Sequence, residues 1–200
     1  ADLSSQFTKL SHTTKAEVMT LHDCSRLFKE PRLPGVVFTN ALATSSDGTG
    51  GFALSLRMSR FNHSCQPNAL AQWLPDGSGS GVQFVRAVQD IKPGTEICIS
   101  YLGNDCLSAH CVRRKRLLYK SRFLCLCEAC ASAAADLQRL SDGRRRRLAS
   151  LMLRLNVTTD REAALLLVEE QLDLLARENI TDPSFWAEAC VRGFFTVLER

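Results

Sequence analysis

The sequence predicts an α+β chain, in which a small body of short strands is followed by a helical C-terminal extension. Three observations carry that expectation. Between residues 52 and 101 short apolar runs alternate with turn signals rich in Gly, Pro, Asp and Ser, the spacing of a compact β body. A tight cluster of cysteines, Cys125, Cys127 and Cys130, follows it. From residue 133 onward the composition turns to Leu, Ala, Arg and Glu at helical spacing.

Residues 1–30 read as helical in patches, and Thr14 with Glu17 fits a capping box, hydroxyl and carboxylate each satisfying a backbone donor of the first turn. Residues 34–43 (PGVVFTNALA) are apolar and turn-initiated, and read as a strand or the end of one. Residues 45–51 (SSDGTGG) are a loop by composition, and residues 52–58 (FALSLRM) read as a strand. The runs 69–74 and 82–88 flank PDGSGSG, which predicts a hairpin with a long tip. Pro93 and Gly94 centre the next turn, and residues 96–101 (EICISY) predict a further strand. Residues 113–118 (RRKRLL) predict a basic helix running into the cysteine cluster.

In the tail, residues 163–175 carry a helical pattern, and TDPS at 181–184 starts another helix, with Pro183 in the first turn. Three or four packed helices are expected over residues 135–199, with Leu151, Leu155, Leu166, Leu172 and Leu175 buried. Paired helices of this kind are also compatible with a TPR-like array. The run Arg144 to Arg147 reads as a solvated helix face, with an acidic partner or RNA as the other use for it.

Composition narrows the class. The net charge of +4 is too small for the dense basic face of a nucleic-acid binder. No apolar run reaches the roughly 18 residues of a membrane span, so no membrane partner is expected. The first residues lack the charged lead and apolar stretch of a signal peptide, and lack an initiator methionine, so a processed product or a piece of a longer protein is expected. A secreted disulfide scaffold would be shorter than this nine-cysteine chain, with its cysteines spread through loops. Thiolates within six positions favour one metal ion instead. A reducing, intracellular compartment follows, cytoplasmic and/or nuclear.

Residues 60–68 (RFNHSCQPN) hold the densest chemistry, with amides, an imidazole, a hydroxyl and a thiol close together and a proline stiffening the exit. They cannot be core filler, because each buried polar group needs a partner. Residues 62–68 (NHSCQPN) resemble the NHSCxPN signature of SET domains, and residues 94–101 (GTEICISY) resemble the second signature, which ends in a tyrosine. Residues 123–130 (FLCLCEAC) are similar to the zinc-binding post-SET element. Order and spacing match the SMYD-like branch (SET with MYND), in which an Arg/Lys-rich helix precedes a CxCxxC and a helical tail follows.

The resemblance implies a SET-type β-clip, small sheets with a pseudoknot, followed by the helical extension. The expected domains are the C-terminal portion of a SET domain over 1–110, the post-SET zinc element over 111–132 and the extension over 133–200. It implies transfer of a methyl group from S-adenosylmethionine to a lysine ε-amine of a protein, histone or non-histone. The amine must be neutral to attack, against an ordinary pKa of about 10.4. A buried channel and the neighbouring sulfonium both lower it. The displacement is in line, so alignment supplies much of the rate. By the same resemblance Tyr101 is the catalytic tyrosine beside the transfer axis and also a cofactor contact. Asn62 and His63 hold the adenosine end, Phe123 packs on the adenine, and Asn40 is a further cofactor contact. Cys125, Cys127 and Cys130 supply three thiolates to one structural Zn2+, and Cys65 of the NHSC segment is the fourth ligand.

The remaining cysteines carry less. Cys98 reads as strand core, and Cys106, His110 and Cys111 read as a loop and helix start, a second metal site being the other option. Cys24 and Cys190 have no partner in view. The family's N-terminal Gly-x-Gly segment and MYND finger are absent, Gly48, Gly50 and Gly51 lying too near the NHSC segment and Gly77 and Gly79 after it. The chain is therefore expected to start inside the SET domain. A catalytically inactive SET-like scaffold binding partner proteins competes with the enzyme, as more weakly does a helical adaptor. Intact Tyr101, Asn62 and His63 favour the enzyme.

Overall fold

The computed structural model describes residues 2–24, 32–44, 50–77, 81–131 and 135–198. Helix α1 (Leu3–Thr8) opens where the Asp2 carboxylate accepts the Ser4 N–H at 2.9 Å. Helix α2 (His12–Thr20) is capped by Ser11, whose Oγ accepts the Thr14 N–H at 3.1 Å. The capping box expected at Thr14 is therefore displaced by one turn. A capping side chain must stand just outside the helix, and Thr14 is already within the first turn.

Residues 32–40 correct most of the strand, or end of one, expected at 34–43: they form helix α3 (Arg32–Asn40), and only Leu42–Ala43 at the end is strand. Pro34 is tolerated because it stands in the first turn, where its missing N–H has no intrahelical acceptor to lose. The helix turns Val36 into a cluster with Val18 and Leu21, all three buried, which alternation along a strand would not do. Cys24, solitary in the sequence, is buried with its Sγ 3.2 Å from Thr39 Oγ1 and donating to the Lys120 carbonyl.

Strands β1 (Leu42–Ala43) and β2 (Phe52–Ala53) pair antiparallel, Leu42 opposite Ala53. The loop read at 45–51 lies outside the described residues for 45–49. The strand expected over 52–58 stops after two residues. Ser55 and Ser59 divert the backbone, Ser59 donating through both N–H (3.0 Å) and Oγ (2.7 Å) to the Ser55 carbonyl, and a 3-10 turn follows over Met58–Arg60. Short hydroxyl side chains compete with strand pairing in this way.

Strand β3 (Asn62–His63) pairs later with β6 (Cys98–Ile99), while β4 (Ala69–Pro75) and β5 (Gly81–Ala87) make the expected hairpin, with its tip at 78–80 outside the described residues. Gly81 is obligatory there, since a Cβ would sit 2.4 Å from the Leu74 carbonyl oxygen. Gly94, at φ +83°, follows the Pro93 turn. The strand expected over 96–101 shrinks to β6 because a side chain replaces a neighbouring strand. The Asn68 amide donates to the Glu96 carbonyl (2.8 Å) and accepts the Cys98 N–H (2.9 Å). Cys98 is half-buried rather than core.

A 3-10 segment (Gly103–Leu107) leads to helix α4 (His110–Ser121), the short α5 (Glu128–Ala131), and three long helices, α6 (Ala135–Leu155), α7 (Arg161–Arg177) and α8 (Pro183–Leu198). Asp160 caps α7 through the Ala163 N–H at 2.7 Å, and α8 begins with Pro183, as its sequence predicts. None of the described helices is long and apolar enough to cross a membrane.

The backbone divides into two compact units, one of Ala1–Asn62, Ala71–Arg86 and Leu118–Phe123, the other of His63–Leu70, Ala87–Leu117 and Leu124–Arg200. The second contains the helical core, in which Leu148 and Leu151 of α6 meet Leu167, Val168 and Leu175 of α7 and Phe185 and Ala189 of α8. Of the positions expected buried, Leu151, Leu155 and Leu175 are, and Leu172 is partly so; Leu166 is 66% exposed. The buried stripe of α7 runs Ala164, Leu167, Val168, Gln171, Leu174, Leu175, the i, i+3, i+4, i+7 face. Leu166 stands one step of rotation outside it. Leu167→Ala should cost about 2–5 kcal/mol in urea unfolding, and Leu166→Ala less than about 0.5 kcal/mol; equal costs would contradict this helix orientation.

The run Arg144 to Arg147 is not one solvated face. Arg145 is wholly buried, its Nε donating to Glu178 Oε2 at 2.8 Å and its Nη1 to the Cys106 carbonyl. Arg144 joins Glu178 at 2.6 Å, and Arg147 grips Glu170 with two bonds of 2.6 Å.

Candidate functional site

Residues 64–68 form a loop bonded at several points within the second unit. Ser64 N–H donates to the Ile99 carbonyl at 3.1 Å, and Ser64 Oγ accepts the Gln66 N–H at 3.1 Å. Gln66 Nε2 donates to the Glu178 carbonyl (3.0 Å), and Thr181 Oγ1 donates to the Pro67 carbonyl (3.0 Å). The turn between α7 and α8 thus holds both residues that follow Cys65. The Val88 N–H donates to the Asn68 carbonyl at 3.0 Å, so the loop is anchored on three sides.

Cys65 points from this loop into a cluster with Cys125, Cys127 and Cys130, whose sulfurs all lie within 4.8 Å of one another. Cys65 Sγ is 3.5 Å from Cys130 Sγ, and the Cys65 N–H donates to Cys127 Sγ at 3.4 Å. The turn from Cys127 into α5 closes through Cys130 N–H to the Cys127 carbonyl at 2.7 Å, which brings the second and third sulfurs of the CxCxxC to one side. All four cysteines are free thiols, three of them buried. Four sulfurs about 2.3 Å from a common centre would lie about 3.8 Å apart, and the observed spacing brackets that value. The donor set and its dimensions fit one tetrahedral zinc ion.

The four thiols also perturb one another. Hydrogen bonds from Cys125, Cys130 and Cys65 pull the Cys127 thiol far below its ordinary pKa. Cys65 is pushed far up, chiefly by its bonds to Cys125, Cys127 and Cys130 and further by burial, and Cys125 likewise by its bond to Cys127. Cys130 is lowered to about 7, first by its bond to Cys125. Protons and negative charge are thus shared unequally among crowded sulfurs. A divalent cation ends that competition, since all four bind it as thiolates.

His63 joins the cluster to the second signature. Its Nδ1 accepts the Tyr101 backbone N–H at 3.0 Å, so Nε2 carries the proton and faces Cys65 Sγ at 3.4 Å. Burial lowers the His63 pKa to about 4, which keeps this neutral form at physiological pH. The Tyr101 ring lies 5.3 Å from the imidazole, tilted by 40°. Burial also raises the Tyr101 phenol, which keeps its hydroxyl protonated.

The second unit therefore brings together His63, Cys65, Tyr101, Cys125, Cys127 and Cys130, while Asn40, Asn62 and Phe123 belong to the first. Asn40 ends α3 with its Nδ2 donating to the Val36 and His22 carbonyls, each at 2.7 Å. Asn62 is exposed at the start of β3 and Phe123 is half-buried. Cys106, His110 and Cys111 form no metal-like group among the described residues; Cys106 is buried, Cys111 is exposed, and the His110 N–H donates to Asp142 Oδ1 at 2.6 Å. Sequence reasoning missed Arg113, which is 1% exposed and reaches Cys130. A signal was present: Arg113 and Leu117 stand four residues apart, on one face of the basic helix.

Comparison with known proteins adds a family to this geometry. The SET domain model matches residues 8–102. The histone-lysine N-methyltransferase set5 of Schizosaccharomyces pombe is 34% identical over 142 residues, covering 70% of this chain and 42% of the relative. Human protein-lysine N-trimethyltransferase SMYD5 is 41% identical over 93 residues, 45% of this chain and 20% of the relative. Zebrafish N-lysine methyltransferase SMYD2-B is 35% identical over 91 residues, 46% of this chain and 19% of the relative. The chain thus spans less than half the length of these curated relatives.

Proposed function

We propose, from the match of residues 8–102 to the SET domain model and from the SMYD-like relatives, that the chain is part of an S-adenosylmethionine-dependent protein-lysine N-methyltransferase. The observation that carries the reading is the link from Cys65 through His63 to the Tyr101 backbone. It makes one construction of the two signature segments and the cysteine cluster. The same reading assigns residues 1–110 to the SET domain, with a β-clip and pseudoknot, 111–132 to a zinc-binding post-SET element and 133–200 to a helical extension.

Bound S-adenosylmethionine supplies an electrophilic methyl group on a sulfonium. Asn40, Asn62, His63, Tyr101 and Phe123 are the residues proposed to hold it. Tyr101 is proposed to orient the attacking amine with its protonated hydroxyl, a positioning role that matches a phenol kept neutral by burial. The lysine reaches the site as a free amine because a desolvated channel disfavours ammonium. Cys65, Cys125, Cys127 and Cys130 are proposed to hold one structural Zn2+. Four thiolates would leave no position open on such an ion, so it would hold the fold together and take no part in the transfer. The substrate is a lysine-bearing protein, histone or not, and the compartment cytoplasmic and/or nuclear.

Transfer of labelled methyl from S-adenosylmethionine to a lysine-rich protein mixture by the full-length protein tests the proposal. Labelled protein is expected. Asn62→Ala should weaken cofactor binding before it slows the bound complex, because its contacts exist before and during the reaction. Zinc-loaded, folded protein that binds no cofactor and labels nothing would make the scaffold the better reading.

A further inference from the structure

Arg113 lies on the first turns of α4 and is 1% exposed. Its Nη1 donates to the Ser108 carbonyl at 2.6 Å, which fixes the guanidinium fork, and its Nη2 faces Cys130 Sγ at 4.0 Å. Among the described residues it makes no salt bridge to a carboxylate. The other wholly buried arginine, Arg145, has Glu178. A guanidinium does not give up its proton in a protein, so a buried one needs a negative partner or stands as an uncompensated charge. Its fork turns instead toward the cysteine cluster, through Cys130 Sγ.

The demand is reciprocal. Four thiolates on one divalent cation leave two net negative charges in a place from which water is largely excluded. His63 Nε2 brings a neutral N–H to Cys65, which polarises a sulfur but adds no charge. Arg113 is the one cationic side chain that meets the cluster among the described hydrogen bonds. We infer that Arg113 is the built-in counter-charge of the four-cysteine centre, stabilising its all-thiolate form. The inference rests on the reading of Cys65, Cys125, Cys127 and Cys130 as ligands of one metal ion. The role needs charge as well as shape. It also favours arginine, whose fork spans a carbonyl on one side and a sulfur on the other, over a single ammonium.

The test is zinc affinity of the purified chain, by competition with a chromophoric chelator, for wild type, Arg113→Met, Arg113→Gln and Arg113→Lys. Met keeps the bulk without the charge, Gln keeps donors without the charge, and Lys keeps the charge. Met and Gln should each lose on the order of 10- to 100-fold in affinity, the usual effect of removing an outer partner of a metal ligand, and Lys should recover most of it. Cobalt-loaded Met and Gln variants should retain the sulfur-to-metal charge-transfer bands of four thiolates, which separates a lost counter-charge from lost ligands. Folded Met and Gln variants that bind zinc as wild type does would overturn the inference and leave the metal centre standing. If Arg113→Met does not fold, the pair Lys and Gln decides, and Lys binding no more tightly than Gln overturns it. A wild-type chain that takes up no zinc would overturn the metal reading itself, and this inference with it.

Discussion

Cys127→Ser is expected to abolish stoichiometric zinc binding and to loosen the region after residue 110 far more than the β4–β5 hairpin. The sulfur it removes accepts the Cys65 N–H at 3.4 Å, across 62 residues of chain, and lies within 4.8 Å of the other three sulfurs. A serine hydroxyl remains protonated at neutral pH and is a poor zinc ligand. Structural zinc contributes an apparent 10–16 kcal/mol or so in small zinc-finger peptides, where binding free energy is folding free energy. Losing one of four thiolates forfeits a large fraction of that, and the contact from Cys65 to the CxCxxC turn has little else to hold it. Zinc per chain by elemental analysis and hydrogen exchange by segment are the measurements. Cys127→Ser protein that keeps one tightly held zinc and unchanged exchange over Glu128–Ala131 would refute the ligand assignment.

Tyr101→Phe in the full-length protein is expected to do the reverse, sparing structure and removing activity. The link from Tyr101 to His63 uses the backbone N–H, which phenylalanine retains, and the ring contact with the imidazole needs no hydroxyl. Zinc content and unfolding midpoint should therefore match wild type. Methyl transfer should fall on the order of 10²-fold or more, as misplacement of reacting groups does, equivalent to about 2.7 kcal/mol of barrier. The loss should appear mainly in kcat. Unchanged kcat in the phenylalanine variant would remove Tyr101 from the catalytic role.

How far these features could be read in advance depended on the range of the interaction that creates them. The hairpin at 69–87, the Pro93 turn and the long helices of the tail rest on local pattern and turn chemistry, and those expectations match the structure. The run at 34–43 is short and apolar throughout, and such a run has no period to separate helix from strand; burial of Val36 against Val18 and Leu21 decided it. The strand at 96–101 looked longer than it is because Asn68, some thirty residues earlier, takes the bonds a neighbouring strand would have made. The arginine run read as solvated because its partner Glu178 lies 33 residues from Arg145. At the site, three sulfurs within six positions announce a metal by themselves. The fourth, Cys65, came from a family resemblance, and no local rule would have joined it to the others across 65 residues.

The bonds from Gln66 to the Glu178 carbonyl and from Thr181 to the Pro67 carbonyl set an order of events during synthesis. Gln66 waits for a partner 112 residues downstream, which at roughly 5–20 residues per second of translation is a delay of about 5–20 s. Through that interval the loop can gain its bonds to Val88 and Ile99 and Cys65 its fellow sulfurs, but Gln66 still lacks its anchor. The NHSC segment is thus made well before the part of the chain that completes its anchoring. The Gln66 amide alone remains open to solvent until the end of α7 arrives.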